Sequence, residues 1–295
     1  MLKKLVAALC ILLPSNITCL LYRLCGYRIG YNTKLPPLSY VYAAKMRLGN
    51  DVDIRPFVYI NVGELKIGSN TIISNGVQVK GEKAFAAGDN CFFGPHSLVH
   101  CEENVTFGFY SGIGPRTTIY THGSFLPTTL GYPAKFAPVT VEDFVWIAMN
   151  VSLLAGTHIE SHCIINPCVI VGSKVKSYTM LQLSAQSFQS LDLEKLLRFS
   201  KKDPQDLLEK MITGFCESGN ISHELDTAKR ECRLVTGQTL KYDPETYCFD
   251  LLSSSGKNTN FNLKKFEVDY HESDLVENLL FYLRRKWGLT LRRKY

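Results

Sequence analysis

From Val139 to Ser173 an aliphatic residue recurs at every sixth position: Val141, Ile147, Leu153, Ile159, Ile165 and Val171. Neither common backbone accepts that spacing, because an α-helix asks for apolar residues three and four apart and a half-buried strand asks for alternation. A second small or apolar side chain follows four places after each one, at Val145, Val151, Thr157, Cys163, Val169 and Val175. Two inward positions in six describe a chain that turns a corner after each short strand. Coils of this kind stack into a solenoid, in which every rung buries its inward residues against the rungs above and below.

The same period recurs upstream, through Leu48, Ile54 and Ile60, then Ile67, Ile73 and Val79, then Ala87, Phe93, Val99 and Val105, and finally Ile113 and Ile119. Phase slips fall at Leu65, between Gly81 and Ala86, and at Gly112. The repeat stops near Ser177. The expected architecture is therefore mainly β: a helical lead-in over residues 1–40, a parallel β-solenoid over 41–178, and a small α+β domain over 190–295. In that last region the pattern predicts two helical stretches separated at Lys202 to Pro204, the second with Asp206 near its start. It then predicts strands in "GQTLKYD", "YCFDLLSS" and "FNLKKFEVDY". A closing helix opens at Ser273, Asp274 and Glu277, with Leu275, Leu279, Leu280 and Leu283 on one face.

The 45% hydrophobic content is that of a folded globular protein. Ten cysteines are scattered with no C-x-x-C spacing, which suits a reducing cytosol better than a disulfide framework or a zinc ribbon. Cys91, Cys101, Cys163 and Cys168 fall inside the repeat, where a thiol serves as a small hydrophobe. The net charge of +6 equals the six cations of the last twelve residues, "RRKWGLTLRRKY". Such a tail either sits on anionic lipid or ends a solvated helix. With no binding motif or aromatic-interleaved basic groove beside it, it does not point to nucleic acid. At the other end, the apolar run Leu5 to Leu13 is too short to span a bilayer and no A-x-A cleavage site follows it. It reads as an amphipathic helix that either lies in a membrane interface or caps the first rung.

One segment interrupts the repeat. Between Ile119 and Val139 lies "YTHGSFLPTTLGYPAKFAP", too polar and too rich in Pro and Gly to be a rung, so it projects from the side of the solenoid. Loops held by rigid scaffolds are where functional residues collect.

Two stretches around that loop, "FGFYSGIGPRTTIYTHG" and "VTVEDFVWIAMNVSLLAGTHIES", resemble paired elements of the hexapeptide-repeat acetyltransferases that act on maltose, xenobiotics and polysaccharides. The resemblance covers roughly residues 40 to 178. It implies a left-handed parallel β-helix, a homotrimer with sites in the grooves between subunits, acetyl-CoA as acyl donor, and no metal. It places His122 as the general base that takes a proton from the attacking hydroxyl or amine, a role suited to imidazole. Trp146 and Ala148 then stand beside the thioester end of the donor, Asn166 and Pro167 along the pantetheine arm, and Lys174 and Lys176 at the CoA phosphates.

This chain departs from the family where Ala148 replaces a glycine, where Ser124 stands at a position often held by a second histidine, and above all at Pro167. A proline there has no N–H to give the donor. The lead-in "LPSNITCLLYRLCGYRIGYNTKL" resembles that of capsule and O-antigen acetyltransferases, which implies a saccharide or lipid-linked saccharide acceptor and a cytoplasmic protein with peripheral membrane contact. Two other readings stay open. A zinc enzyme like the γ-type carbonic anhydrases would use His96, His100 and His122, and a non-catalytic scaffold would have lost CoA at Pro167.

Overall fold

The structure, a computed structural model, describes residues 2–123, 135–183, 188–192, 204–252, 258–270, 273–287 and 289–294. It divides into two compact units, Met1–Leu197 and Arg198–Tyr295.

The first unit is a parallel β-solenoid. Its strands pair in parallel from coil to coil in two sheets, one of them following two sides of the coil and the other the third side. All six predicted anchors from Val141 to Val171 are buried, as are the six smaller residues that follow them. The period is not constant. Tyr40 pairs with Tyr59, 19 residues on, Gln78 with Leu98, 20 residues on, and Thr118 with Ser152, 34 residues on. The later pairing of Ser152 with Ile170 returns to three hexads.

Every added residue goes to one corner. Strands Tyr40–Leu48 and Tyr59–Ile67 run through it unbroken; it then widens to residues 81–83 and 101–104, and to 121–138 in the longest coil. The expected slip at Gly112 therefore lies earlier, at 101–104. Val105 and Phe107 both face inward along one strand, so Phe107 and not Val105 is in register with Ala87. The wider coils are filled by larger side chains. Phe85, Phe93 and Phe107 pack edge to face at 5.0 to 6.3 Å between centroids, where the hexad coils need only Ile, Leu and Val. At Gly81, with φ +137°, an added Cβ would lie 2.3 Å from the Cys101 carbonyl oxygen, so only glycine lets these corners stack.

The other two corners repeat one conformation. A residue with φ between 50° and 61° recurs at Asn32, Asp51, Asn70, Asn90, Tyr110, Phe144, His162 and Tyr178. At the next corner the series is Leu38, Phe57, Gly76, His96, Arg116, Asn150 and Cys168. Cys168 is therefore an exposed corner residue, in contrast to the buried role expected of it, whereas Cys91, Cys101 and Cys163 are buried.

Helices Leu2–Cys10 and Ser15–Leu24 close the first coil. Ala7, Cys10, Cys19 and Tyr22 join its core, and the hydroxyls of Tyr22 and Tyr27 donate to the carbonyls of Val41 and Ala43 at 2.6 Å. The capping role is thus present. At the far end, strand Thr179–Leu183 pairs with Phe188–Asp192 in antiparallel fashion, so the expected helix starting near Ser190 begins instead as a strand. Residues 193–203 lie outside those described.

The second unit is an antiparallel meander of six strands, joined by a seventh, Arg292–Lys294, that runs parallel to Glu267–Asp269. Its helices Pro204–Ser218 and Asp274–Trp287 match the expected ones, and the Ser273 hydroxyl accepts a hydrogen bond from the Val276 amide as a cap. The run expected as one strand from Phe261 to Tyr270 is two, turned at Leu263 to Phe266. Strands His223–Asp226 and Glu231–Leu234 were not anticipated.

Candidate active site

The loop that interrupts the repeat leaves from the widened corner. Its base is a two-residue antiparallel ladder, His122–Gly123 against Lys135–Phe136, and residues 124–134, Ser124 among them, lie outside those described. Thr121 fixes this base to the coil above. Its hydroxyl donates to the His100 carbonyl at 2.8 Å and accepts from the Glu103 amide at 2.9 Å, and its carbonyl accepts from the Ala137 amide at 3.0 Å. On the far side the corner glycine Gly156, with φ +83°, leaves room for Lys135; a Cβ there would meet its Nζ at 3.0 Å.

His122 is held between aromatic rings. Phe136 stacks on it at 5.8 Å, and the imidazole of His100 meets it edge-on at 4.5 Å between centroids. Its Nδ1 is buried without a hydrogen-bond partner. His100 lies directly above Tyr120 in the parallel ladder, and its Nε2 is 3.5 Å from a Glu102 carboxylate oxygen. Burial first, and then the adjoining His122, lowers the pKa of His100. The shift disfavours a charged His100 beside His122. The sequence pattern singles out His100 beside His122 only as a zinc ligand, and gives no place in this cluster to Glu102 or Thr121. The signal was present as the 20-residue period that sets Tyr120 beneath His100.

Of the residues expected around the donor, Trp146, Ala148, Asn166 and Pro167 line the second sheet and the corner that follows it, whereas Lys174 pairs with His158 on another side of the coil. Trp146, 44% exposed, projects outward from the second sheet and packs near Phe92 at 6.3 Å. It pairs in register with Ile164. Ala148 donates its amide to the Ile165 carbonyl at 2.8 Å, and Asn166 donates to Leu181 at 2.9 Å, so both amides are used by the ladder.

Pro167 has a plain structural cause. Pro37, Pro56, Pro95 and Pro115 occupy the same corner position in other coils, each just before the positive-φ residue. Proline followed by a left-handed residue is the order a type II turn asks for. The ladder here runs through Asn166 and through Cys168, whose amide donates to the Met149 carbonyl at 3.1 Å, so the proline costs no coil-to-coil bond. One coil earlier the position is held by Met149, which keeps its N–H and is 45% exposed.

The two lysines differ. Lys174 lies 2.5 Å from Glu160, an ion pair that holds the Glu160 carboxyl down to about 2 and raises the lysine. Lys176 is exposed. The three histidines of the zinc reading do not converge: His96 sits at a positive-φ corner against Gly76, while His100 and His122 flank the widened corner. Among the described residues no group of three metal-binding side chains is poised to hold an ion.

No protein-family model matches the chain, and no curated protein does. Solved structures do resemble it. A mutant of AntD, an N-acyltransferase from Bacillus cereus in complex with dTDP and coenzyme A, is 12% identical at a TM-score of 0.42, covering 65% of this chain and 95% of its own. A hexapeptide-repeat acetyltransferase from Vibrio cholerae O1 biovar eltor, complexed with acetyl coenzyme A, is 17% identical at a TM-score of 0.32, covering 64% and 86%. The polySia-specific acetyltransferase NeuO is 17% identical at 0.37, covering 56% and 75%.

Proposed function

We propose that this chain is a CoA-dependent acetyltransferase that acylates a hydroxyl or amine of a saccharide, with His122 as general base. The observation that carries the reading is His122 itself, in the expected "THG" element, at the foot of the one loop that leaves the solenoid, and aligned by Thr121, His100 and Phe136. A positioned imidazole takes the proton from the acceptor as its oxygen or nitrogen attacks the thioester carbonyl, and then passes it to the departing thiolate of CoA. Holding the two substrates in line supplies much of the remaining acceleration.

The proposed donor track is the line Trp146, Ala148, Asn166 and Pro167, with Lys176 as a cation for the CoA phosphates. Lys174 would have to give up Glu160 to join it. Since Pro167 has no N–H, we assign to the amide of Met149, the exposed residue at the same position one coil earlier, the bond to pantetheine. Within one chain the strands Thr118–Tyr120 and Ser152–Leu153 lie between this line and His122. A trimer in which one subunit's donor line faces its neighbour's His122 brings the two together, and the enzyme is proposed to work as one. The proposed setting is the cytoplasm, at the inner face of a membrane where lipid-linked saccharides are built.

Calorimetric titration with CoA, followed by thiol release from acetyl-CoA in wild type and His122→Ala, tests the reading. Saturable binding with release that vanishes in the variant is expected. Absence of CoA binding would sink it and favour a non-catalytic scaffold.

A further inference from the structure

The capping helices use only one side of themselves for the core. Leu5, Leu9, Leu12 and Leu24 are between 58% and 78% exposed, and Ile17 and Leu20 are exposed as well. Leu5 and Leu9 lie one turn apart on the first helix, and Ile17, Leu20 and Leu24 share a face of the second. A surface helix of a globular protein ordinarily turns charged and polar residues outward, and exposed apolar patches mark contact sites. No helix among the described residues is long and apolar enough to cross a membrane.

Charge within the first fifty residues has one sign. Residues 1–50 contain no Asp or Glu, and Lys4, Arg23, Arg28, Lys34, Lys45 and Arg47 are all exposed. Beside the first helix, a cleft of about 240 Å³ is lined by Lys3, Arg28, Lys45, Arg47 and Lys66, with Glu64 as its carboxylate. Glu64 is already paired with Lys66 at 2.9 Å, which leaves the cleft cationic. The three cations of the closing strand, by contrast, are not free. Arg292 and Lys294 pair with Glu267, and Arg293 pairs with Glu277 and lies over the Tyr270 ring.

We propose that the cap is a membrane-docking surface for anionic phospholipid, with the leucines entering the boundary of the acyl chains and the cationic cleft receiving a headgroup phosphate. An apolar face and a cluster of cations are each weak anchors, and together they hold a protein on an anionic leaflet. This goes beyond the acyl-transfer reading and does not require it.

The test is co-sedimentation of the full chain with vesicles of phosphatidylcholine, alone or mixed with phosphatidylglycerol. The protein is expected to pellet with the mixed vesicles and to be released by salt, which screens charges beyond about 8 Å at physiological strength. Leu9→Glu with Leu20→Glu should abolish pelleting, and Arg28→Ala or Lys45→Ala should each weaken it about fivefold. These positions are exposed, so unchanged circular dichroism and melting separate lost docking from lost folding. A wild type that stays in the supernatant with both vesicles overturns the proposal. So does a leucine variant that still pellets but changes its mass in light scattering, because the face would then be a protein interface. CoA titration of the same samples reads the acyl-transfer proposal separately.

Discussion

The three corners of the solenoid meet different demands. Two of them must pass the chain from coil to coil without changing the period, and each does so with a single positive-φ residue, which at one of the two is often preceded by proline. The third absorbs every departure from the hexad, grows from a bend within one strand to residues 121–138, and carries His100 and His122. A regular corner is specified by backbone conformation and accepts Asn, Tyr, His or Cys at the same φ. The irregular corner is specified by its side chains, because Thr121 and the stacked rings hold what the ladder no longer does. Chemistry is proposed at the second kind, where added length takes side chains away from the ladder.

The sharpest way to break this contrast is His122→Ala. It should lower acetyl transfer by about 10² to 10⁴ while leaving the melting temperature unmoved, measured by steady-state rates and calorimetry. An effect of similar size in stability should come from Phe93→Ala, which empties the centre of the wide coils. A loss of about 3 to 5 kcal/mol in denaturant unfolding is expected.

Thr121→Val joins the two demands. Removing its hydroxyl leaves the Glu103 amide without its acceptor and should cost about 1 to 3 kcal/mol. Because it unseats the His122 strand, kcat should fall while the KM for acetyl-CoA stays. At a regular corner, Phe57→Gly removes an exposed side chain held at φ 65° and should gain up to about 1 kcal/mol in thermal unfolding.

The smallest effect is electrostatic. The Lys174 ion pair depresses the pKa of Glu160 from 4.5 to about 2. Its contribution is thus present above the unfolded value and lost as pH falls through the folded one. Glu160→Gln should flatten that stretch of the acid-unfolding curve, and a curve unchanged there would show the pair to be fully screened.

Much of this was legible in the chain. The inward positions from Leu48 to Val175 could be read directly, because each hexad must fill the same space as its neighbours. The misplaced slip at Gly112 shows the limit: Val105 and Phe107 are both apolar, and only coil-to-coil register decides which of them continues the anchor row. Pro167 looked like damage to a donor site when compared with a family pattern. Compared with Pro56, Pro95 and Pro115 of its own chain, it is an ordinary corner. The tail misled for a related reason, since six cations in twelve residues read as free charge until the strand Arg292–Lys294 sets three of them beside Glu267 and Glu277.

By itself the sequence determined that a solenoid forms and which loop leaves it, because period and turn chemistry are local properties of neighbouring residues; the last parallel strand, Thr179–Leu183, lies just beyond the expected end near Ser177. Only the tertiary structure decided that the slips share one corner, that His100 meets His122 edge-on, and that Arg292, Arg293 and Lys294 are paired. Those facts depend on pairings between residues 16 to 34 positions apart, and no local pattern encodes which residue a coil will bring beside the next.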